Sequence, residues 1–85
     1  MQSTEEIIRS FITETILFTH EEYPYPDDAS LLENGILDSM NVMELVTFLE
    51  EQMGLEIADD EITPENFDSI NQLARFVRSK QSMMT

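Results

Sequence analysis

The sequence has no cysteine and no tryptophan, and only two of its 85 residues are glycine. Without cysteine, neither a disulfide framework nor a thiolate metal site can form. No apolar run approaches the roughly 20 residues that span a bilayer, and no basic segment precedes a signal-like apolar one. These absences predict a cytoplasmic protein with no membrane insertion.

Positive charge is also scarce. The chain has 4 Lys plus Arg against 18 Asp plus Glu, a formal net charge of -14, and residues 10–74 contain no basic side chain except one histidine. Nucleic acid is excluded as a partner because its phosphates require cations. The same segment presents a negative field to basic partners.

The length of the chain suits one domain with a small core. We predict a single domain over residues 1–80 and a frayed tail over residues 81–85. Four segments have apolar side chains at helical spacing, and none has a convincing period of two. The predicted fold is all-α, a small four-helix bundle with three longer helices, one short helix and a long first loop.

Capping patterns mark the helix starts. Ser3 and Glu6 form a capping box at the first helix, which we expect to run to Ile16. Ser69 and Gln72 repeat the pattern at the last helix. Between them, a Thr-Pro pair at residues 63 and 64 predicts a short helical turn that ends near residue 67.

The second helix has the clearest pattern. Asp38 is a good N-cap, which makes Ser39 the first helical residue with its hydroxyl directed outward. Gly54 is the predicted stop. The apolar stripe between them comprises Val42, Leu45, Val46, Leu49 and Met53.

The long connection before this helix needs apolar anchors if the domain is compact. Gly35 follows Asn34 and fits a bend with positive φ, which would turn both Leu32 and Leu37 inward. The predicted anchors are Leu31, Leu32, Ile36 and Leu37.

The stretch from Leu32 to Val46, with Gly35 ahead of Asp38-Ser39-Met40, resembles the acyl carrier protein family of phosphopantetheine-dependent carriers. The helix order is similar over nearly the whole chain. The resemblance implies that a phosphopantetheinyl transferase attaches the 4'-phosphopantetheine of coenzyme A to Ser39, next to the N-cap Asp38. The arm would hold acyl or aminoacyl cargo as a thioester, and the protein itself would not be an enzyme.

A phosphodiester on the first turn would face free N–H groups and the positive end of the helix dipole. The resemblance also implies a docking face for loading and processing enzymes with basic patches, and we expect the carrier to be a monomer. The residues predicted for this face are Met40, Met43, Glu44, Glu50 and Glu51.

Two features indicate the cargo class. Carriers of fatty-acid synthesis that resemble this chain commonly have an acidic residue where Asn41 stands, and the run from Pro64 to Ile70 looks more like aminoacyl, D-alanyl or peptidyl carriers. We therefore expect a specialised acyl or aminoacyl carrier. An acyl chain could be sheltered in the space lined by Val42, Leu45, Val46 and Ile70.

Other functions fit less well. No G-x-S-x-G motif is present, and the only histidine, His20, is expected to end the first helix without chemistry. Asp27-Asp28 and Asp59-Asp60-Glu61 lack EF-hand spacing, although delocalised divalent-ion binding stays open. Tyr23 and Tyr25 are expected to anchor a loop. The alternative from another class is an acidic helical interaction module without a covalent arm.

Overall fold

The computed structural model describes residues 3–19 and 21–83, and this part of the chain contains helices and turns but no β-strand. His20 and residues 84–85 of the expected tail therefore lie outside the described residues. The predicted all-α class and small helical bundle are confirmed. The elements are α1 (Thr4–Phe11), which continues as a π-helical turn (Ile12–Ile16), α2 (Asn41–Met53), a 3-10 turn (Asp59–Glu61), α3 (Pro64–Phe67) and α4 (Ile70–Met83).

Helix α1 begins as its capping pattern predicts. The Ser3 Oγ accepts a hydrogen bond from the Glu6 N–H at 3.2 Å, which satisfies one of the free donors of the first turn. At the other end the helix widens, because the Leu17 N–H donates to the Ile12 carbonyl, five residues back, at 2.9 Å. This π-helical turn was not predicted.

Helix α4 packs against α1 and extends further than expected. The Ser69 Oγ accepts from the Gln72 N–H at 3.1 Å, which confirms Ser69 as a capping residue. The helix continues to Met83, past the domain boundary expected at residue 80. Arg78 of α4 forms an ion pair of 2.6 Å with Glu5 of α1, so the two helices are joined at the surface as well as in the core.

The core lies between α1, α2 and α4, where the apolar stripes meet. Most of the residues predicted to be buried in α2 and α4 are confirmed, while Val42 and Met53 at the ends of the α2 stripe are only half-buried. Burial of these stripes stabilises the helices, since short helices are marginal alone. The largest fully buried side chains are Ile8, Ile12, Leu31, Leu45, Leu49, Ile70, Leu73 and Val77.

The connection before α2 is anchored, with one difference from the prediction. Leu31, Ile36 and Leu37 are buried as expected, but Leu32 is 46% exposed. Leu31 takes the inward position because its N–H donates to the Asp68 carbonyl at 2.6 Å, which fixes its backbone and turns the next side chain outward. The Asp68 carboxylate also accepts from the Ser30 Oγ at 2.8 Å and from the Leu32 N–H at 3.0 Å.

Several turns follow their glycine and proline signals. Gly54 ends α2 with φ 67° and ψ 35°, and Gly35 has φ 69° in the earlier bend; both are left-handed conformations that favour glycine. Pro64 opens α3 as predicted, but Thr63 makes no side-chain capping bond. In the part of the chain described, no helix is long and apolar enough to cross a membrane.

Candidate functional site

Residues 36–41, here called the site turn, lead into α2. Ser39 and Met40 belong to this turn, and the helix begins at Asn41, two residues later than predicted. The Val42 N–H nevertheless donates to the Asp38 carbonyl at 3.1 Å. The backbone is therefore already close to helical at Ser39, which fits the variation of one or two residues common at helix ends.

Asp38 caps the turn, as predicted from the sequence. Its Oδ1 accepts from the Met40 N–H at 2.8 Å and from the Asn41 N–H at 2.9 Å. The bonds from Asn41 and then Met40 lower the pKa of this carboxyl below its usual value, because they stabilise its charged form. Asp38 is consequently an anion at neutral pH.

This geometry corrects the expectation that a phosphate on Ser39 would face free N–H groups. The N–H groups of residues 40 and 41 both donate to the Asp38 carboxylate. The Asp38 carboxylate already supplies an anion at the positive end of the α2 dipole. A phosphodiester on Ser39 would therefore find these two N–H groups already occupied.

Asn41 closes the turn from the other side. Its Oδ1 accepts from the Asp38 N–H at 2.7 Å, and its Nδ2 donates to the Ile36 carbonyl at 2.7 Å. Sequence reasoning treated Asn41 only as a departure from a family pattern. The signal that could have revealed it is its spacing, because a polar residue three positions after an N-cap can complete a capping box.

Ser39 lies in the middle of this bonded frame and takes no part in it. The residue is exposed, and its hydroxyl makes no hydrogen bond to any residue in the described ranges. A serine hydroxyl that caps a helix would instead accept from a nearby N–H. The hydroxyl of Ser39 is available for reaction.

An apolar cleft of about 190 Å³ adjoins the serine. This cleft differs from the space predicted to shelter an acyl chain, because Leu45, Val46 and Ile70 are buried in the core and only Val42 of the predicted four lines it. The lining residues are Leu32, Leu37, Asp38, Ser39, Val42, Ile62, Thr63, Pro64 and Phe67.

The face around the site turn is apolar near the serine and acidic along α2. Met40 and Met43 are 82% and 49% exposed, as expected, and Glu44 and Glu51 are exposed too. The expectation was wrong for the exposure of Glu50, which is half-buried. Its Oε2 accepts from the Ile57 N–H at 3.1 Å, since the chain after Gly54 folds back beside it.

These residues fit a covalent arm. Attachment requires a hydroxyl that a transferase can reach, and Ser39 is exposed without an internal partner. The neighbouring cleft offers apolar surface to a chain that starts at this oxygen. In contrast, the described residues contain no cluster of side chains that could hold a metal ion.

Comparison with known proteins places this site in a family. The chain matches the family model described as "Phosphopantetheine attachment site" over residues 13–77. It is 30% identical to the acyl carrier protein of Buchnera aphidicola subsp. Acyrthosiphon pisum (strain 5A) over 80 residues, 94% of this chain and 95% of the relative.

Two further relatives have a different name. The D-alanyl carrier protein of Lactococcus lactis subsp. cremoris (strain MG1363) is 35% identical over 69 residues, 81% of this chain and 86% of the relative. That of Lactococcus lactis subsp. lactis (strain IL1403) is 33% identical over 70 residues, with coverage of 82% and 87%.

A family match over most of the chain and nearly full-length relatives define the class of the protein as a phosphopantetheine-dependent carrier. The chain belongs to the phosphopantetheine attachment-site family. Its cofactor is covalently bound 4'-phosphopantetheine, and carriers of this kind work with partner enzymes.

Proposed function

We propose that Ser39 is the attachment residue and that the protein presents acyl or aminoacyl cargo to successive enzymes without catalysing a reaction itself. One observation carries the proposal: the Ser39 hydroxyl is exposed and has no partner in the described part of the chain, although the residues on both sides of it are held by hydrogen bonds. A structural serine at a helix start would use its oxygen as a cap.

The attachment step transfers a phosphopantetheine group from coenzyme A. The Ser39 oxygen attacks the phosphorus that bears the pantetheine, a new P–O bond forms, and the pyrophosphate bond of coenzyme A breaks. Adenosine 3',5'-bisphosphate leaves, and the hydroxyl proton passes to a base on the transferase. Asp38 is held by two backbone N–H groups, so its own role is to fix the turn.

When bound, the arm supplies a terminal thiol that holds the cargo as a thioester. The chain itself contributes the hydrogen-bonded site turn, from which the arm starts, and the cleft beside it. Leu37, Val42 and Phe67 line that cleft and can cover a short apolar segment next to the serine.

The docking surface is the exposed face of α2 together with Met40 just before the helix. Met40 and Met43 offer adaptable apolar contacts, while Glu44 and Glu51 attract basic patches on the transferase and the loading enzymes. Glu50 contributes charge at the edge of this surface. The net charge of -14 opposes self-association, which supports a monomer.

The cargo class rests on the relatives. One group is named for acyl groups and another for D-alanine. Asn41 is neutral, whereas carriers of fatty-acid synthesis commonly have an acidic residue at this position beside the serine. We infer a specialised acyl or aminoacyl carrier. The transferase and the loading enzyme would then recognise apolar contacts at Met40 as much as charge.

Intact-mass measurement tests the attachment. Incubation with coenzyme A and a broad-specificity phosphopantetheinyl transferase should add about 340 Da, the mass of the arm. Ser39→Ala should abolish this gain, whereas Ser79→Ala, a change at another exposed serine, should retain it. Absence of a gain in the wild-type protein with several transferases would contradict the proposal and favour an interaction module without an arm.

A further inference from the structure

The side chain of Asn41 joins two parts of the backbone that lie on opposite sides of the site turn. Its Oδ1 accepts from the Asp38 N–H, and its Nδ2 donates to the Ile36 carbonyl, each at 2.7 Å. The two partners determine the orientation of the amide, because an N–H can only donate and a carbonyl can only accept. One side chain therefore connects the first turn of α2 with the segment before it.

The bridge continues into the core. Ile36 and Leu37 are 2% and 3% exposed, so the Ile36 carbonyl belongs to a backbone segment that is fixed by packing. Through its two hydrogen bonds, Asn41 fixes the Asp38 backbone relative to that segment. The Asp38 carboxylate in turn accepts from the N–H groups of Met40 and Asn41. The Ser39 hydroxyl takes no part in these hydrogen bonds, and the residue is exposed.

An aspartate in place of Asn41 could not make the same bridge. An ionised carboxylate has only acceptors, so it would accept from the Asp38 N–H but present an oxygen to the Ile36 carbonyl. It would also add a second negative charge beside the Asp38 carboxylate. The amide is thus the side chain of this size that matches both partners.

We propose that Asn41 is a positioning residue for the modification of Ser39: its amide bridge between Ile36 and Asp38 holds the serine hydroxyl where the transferase can use it. This proposal rests on the proposed function. Asn41 does not touch the reacting atoms, so its loss should slow the transfer step while the docking of the carrier on the transferase is retained.

The experiment measures transfer rates over a range of carrier concentrations for the wild-type protein, Asn41→Ala and Asn41→Asp. We expect Asn41→Ala to have an about tenfold lower kcat, since small misplacements of a reacting group are costly. Asn41→Asp keeps an acceptor for the Asp38 N–H and should lose less, about threefold. KM should change less than about twofold for Asn41→Ala, which leaves the charge of the docking surface unchanged.

Asn66 provides a matched control. Its Nδ2 also donates to a backbone carbonyl five residues back, that of Glu61, at 2.9 Å, but it belongs to α3. Asn66→Ala and Asn66→Asp should keep kcat within about twofold of the wild-type value, even if they cost a similar amount of stability.

Amide NMR supplies a readout that does not depend on the transferase. In Asn41→Ala the Asp38 N–H loses its acceptor, so its hydrogen exchange should accelerate about tenfold, with the resonances of residues 38–40 shifted and those of α4 unchanged. Asn41→Asp keeps this acceptor and serves as the second variant if the alanine variant folds poorly.

The outcomes separate the two proposals. No mass gain in the wild-type protein overturns the attachment function and this inference with it. Modification of the wild-type protein together with a wild-type kcat in either folded Asn41 variant overturns the role of Asn41 alone. Equal losses of kcat in the Asn41 and Asn66 variants also overturn it, because they would indicate a general effect of stability.

Discussion

The site turn and the segment after α1 both connect a helix to irregular chain. The second segment, residues 12–19 and 21–23, is here called the α1 end. The two segments differ in how far their polar groups are satisfied by hydrogen bonds. In the site turn, Asp38 and Asn41 each satisfy backbone groups with bonds between 2.7 and 2.9 Å. At the end of α1, the helix widens into a π turn, Phe18 has φ 53°, and the buried Tyr23 hydroxyl has no partner in the described ranges.

The difference shows which of the two segments is fixed by hydrogen bonds. A non-glycine residue with positive φ and an unsatisfied buried hydroxyl both cost stability, and here both lie in the α1 end, away from the residues that frame Ser39. On the proposed function, presentation of Ser39 depends on the hydrogen-bonded site turn, and the loop after α1 takes no part in it. Changes at the α1 end should therefore alter stability while modification of Ser39 is retained.

The largest expected effect comes from the anchor of the segment that leads to the site turn. Leu31 is completely buried, whereas its neighbour Leu32 is 46% exposed. Leu31→Ala should lower the free energy of unfolding by about 3 kcal/mol through lost burial and a residual cavity. Leu32→Ala should cost less than about 0.5 kcal/mol. Urea denaturation followed by far-UV circular dichroism measures both values.

Similar losses in the two variants would contradict the orientation described here and restore the expectation that Leu32 points inward. Leu32 lines the cleft beside Ser39, so Leu32→Ala can affect cargo contacts while the fold is retained.

An intermediate effect of the opposite sign is expected at Phe18. Its backbone is left-handed and its ring is 84% exposed, and the Thr19 N–H that follows donates to the Thr13 carbonyl at 2.9 Å. Helices commonly end in this way with glycine at the left-handed position. Phe18→Gly should therefore raise the free energy of unfolding by about 1 kcal/mol.

Phe18→Ala is the matched control, because it removes the ring but retains a Cβ and hence the backbone cost. Its stability should stay within about 0.5 kcal/mol of the wild-type value. A loss of stability in Phe18→Gly would indicate that the ring makes contacts that offset the strain. The transferase should modify both variants at the wild-type rate.

The sequence predicted the parts of the structure that depend on local periodicity and capping. The stripes of α2 and α4, the cap at Ser3 and the left-handed Gly54 are confirmed because each signal acts within one or two helical turns. Asp38 and the exposure of Met40 followed from the same reasoning. The candidate site itself was predicted from the family resemblance of the stretch from Leu32 to Val46.

The remaining features depend on contacts that no local pattern contains. Leu32 was placed inward because a bend has no apolar period to indicate which residue faces the core. Its orientation is set by Asp68, 36 residues away. Likewise, the bridge of Asn41 requires the Ile36 carbonyl to lie across the turn, and the half-burial of Glu50 requires the chain to return at Ile57.

The smallest expected effect concerns Tyr23 at the α1 end. Burial, followed by the charge of Asp27 and the nearby Tyr25, raises the pKa of Tyr23 to about 12. The folded state thus keeps the phenol proton at a pH where the unfolded chain, with a pKa of about 10, releases it. This contribution to stability is present below about pH 10 and is lost as the pH rises toward 12.

Tyr23→Phe removes a buried hydroxyl that has no partner in the described residues, so the free energy of unfolding should rise by about 0.5 kcal/mol at pH 7. The decline of stability between about pH 10 and 12 should also become shallower. Tyr25→Phe is the matched control, since its ring packs edge-on against Tyr23 at 5.7 Å while the Tyr23 hydroxyl is retained. A lower stability of Tyr23→Phe at pH 7 would mean that the hydroxyl is satisfied in solution, and the α1 end would then resemble the site turn more closely than its hydrogen bonds indicate.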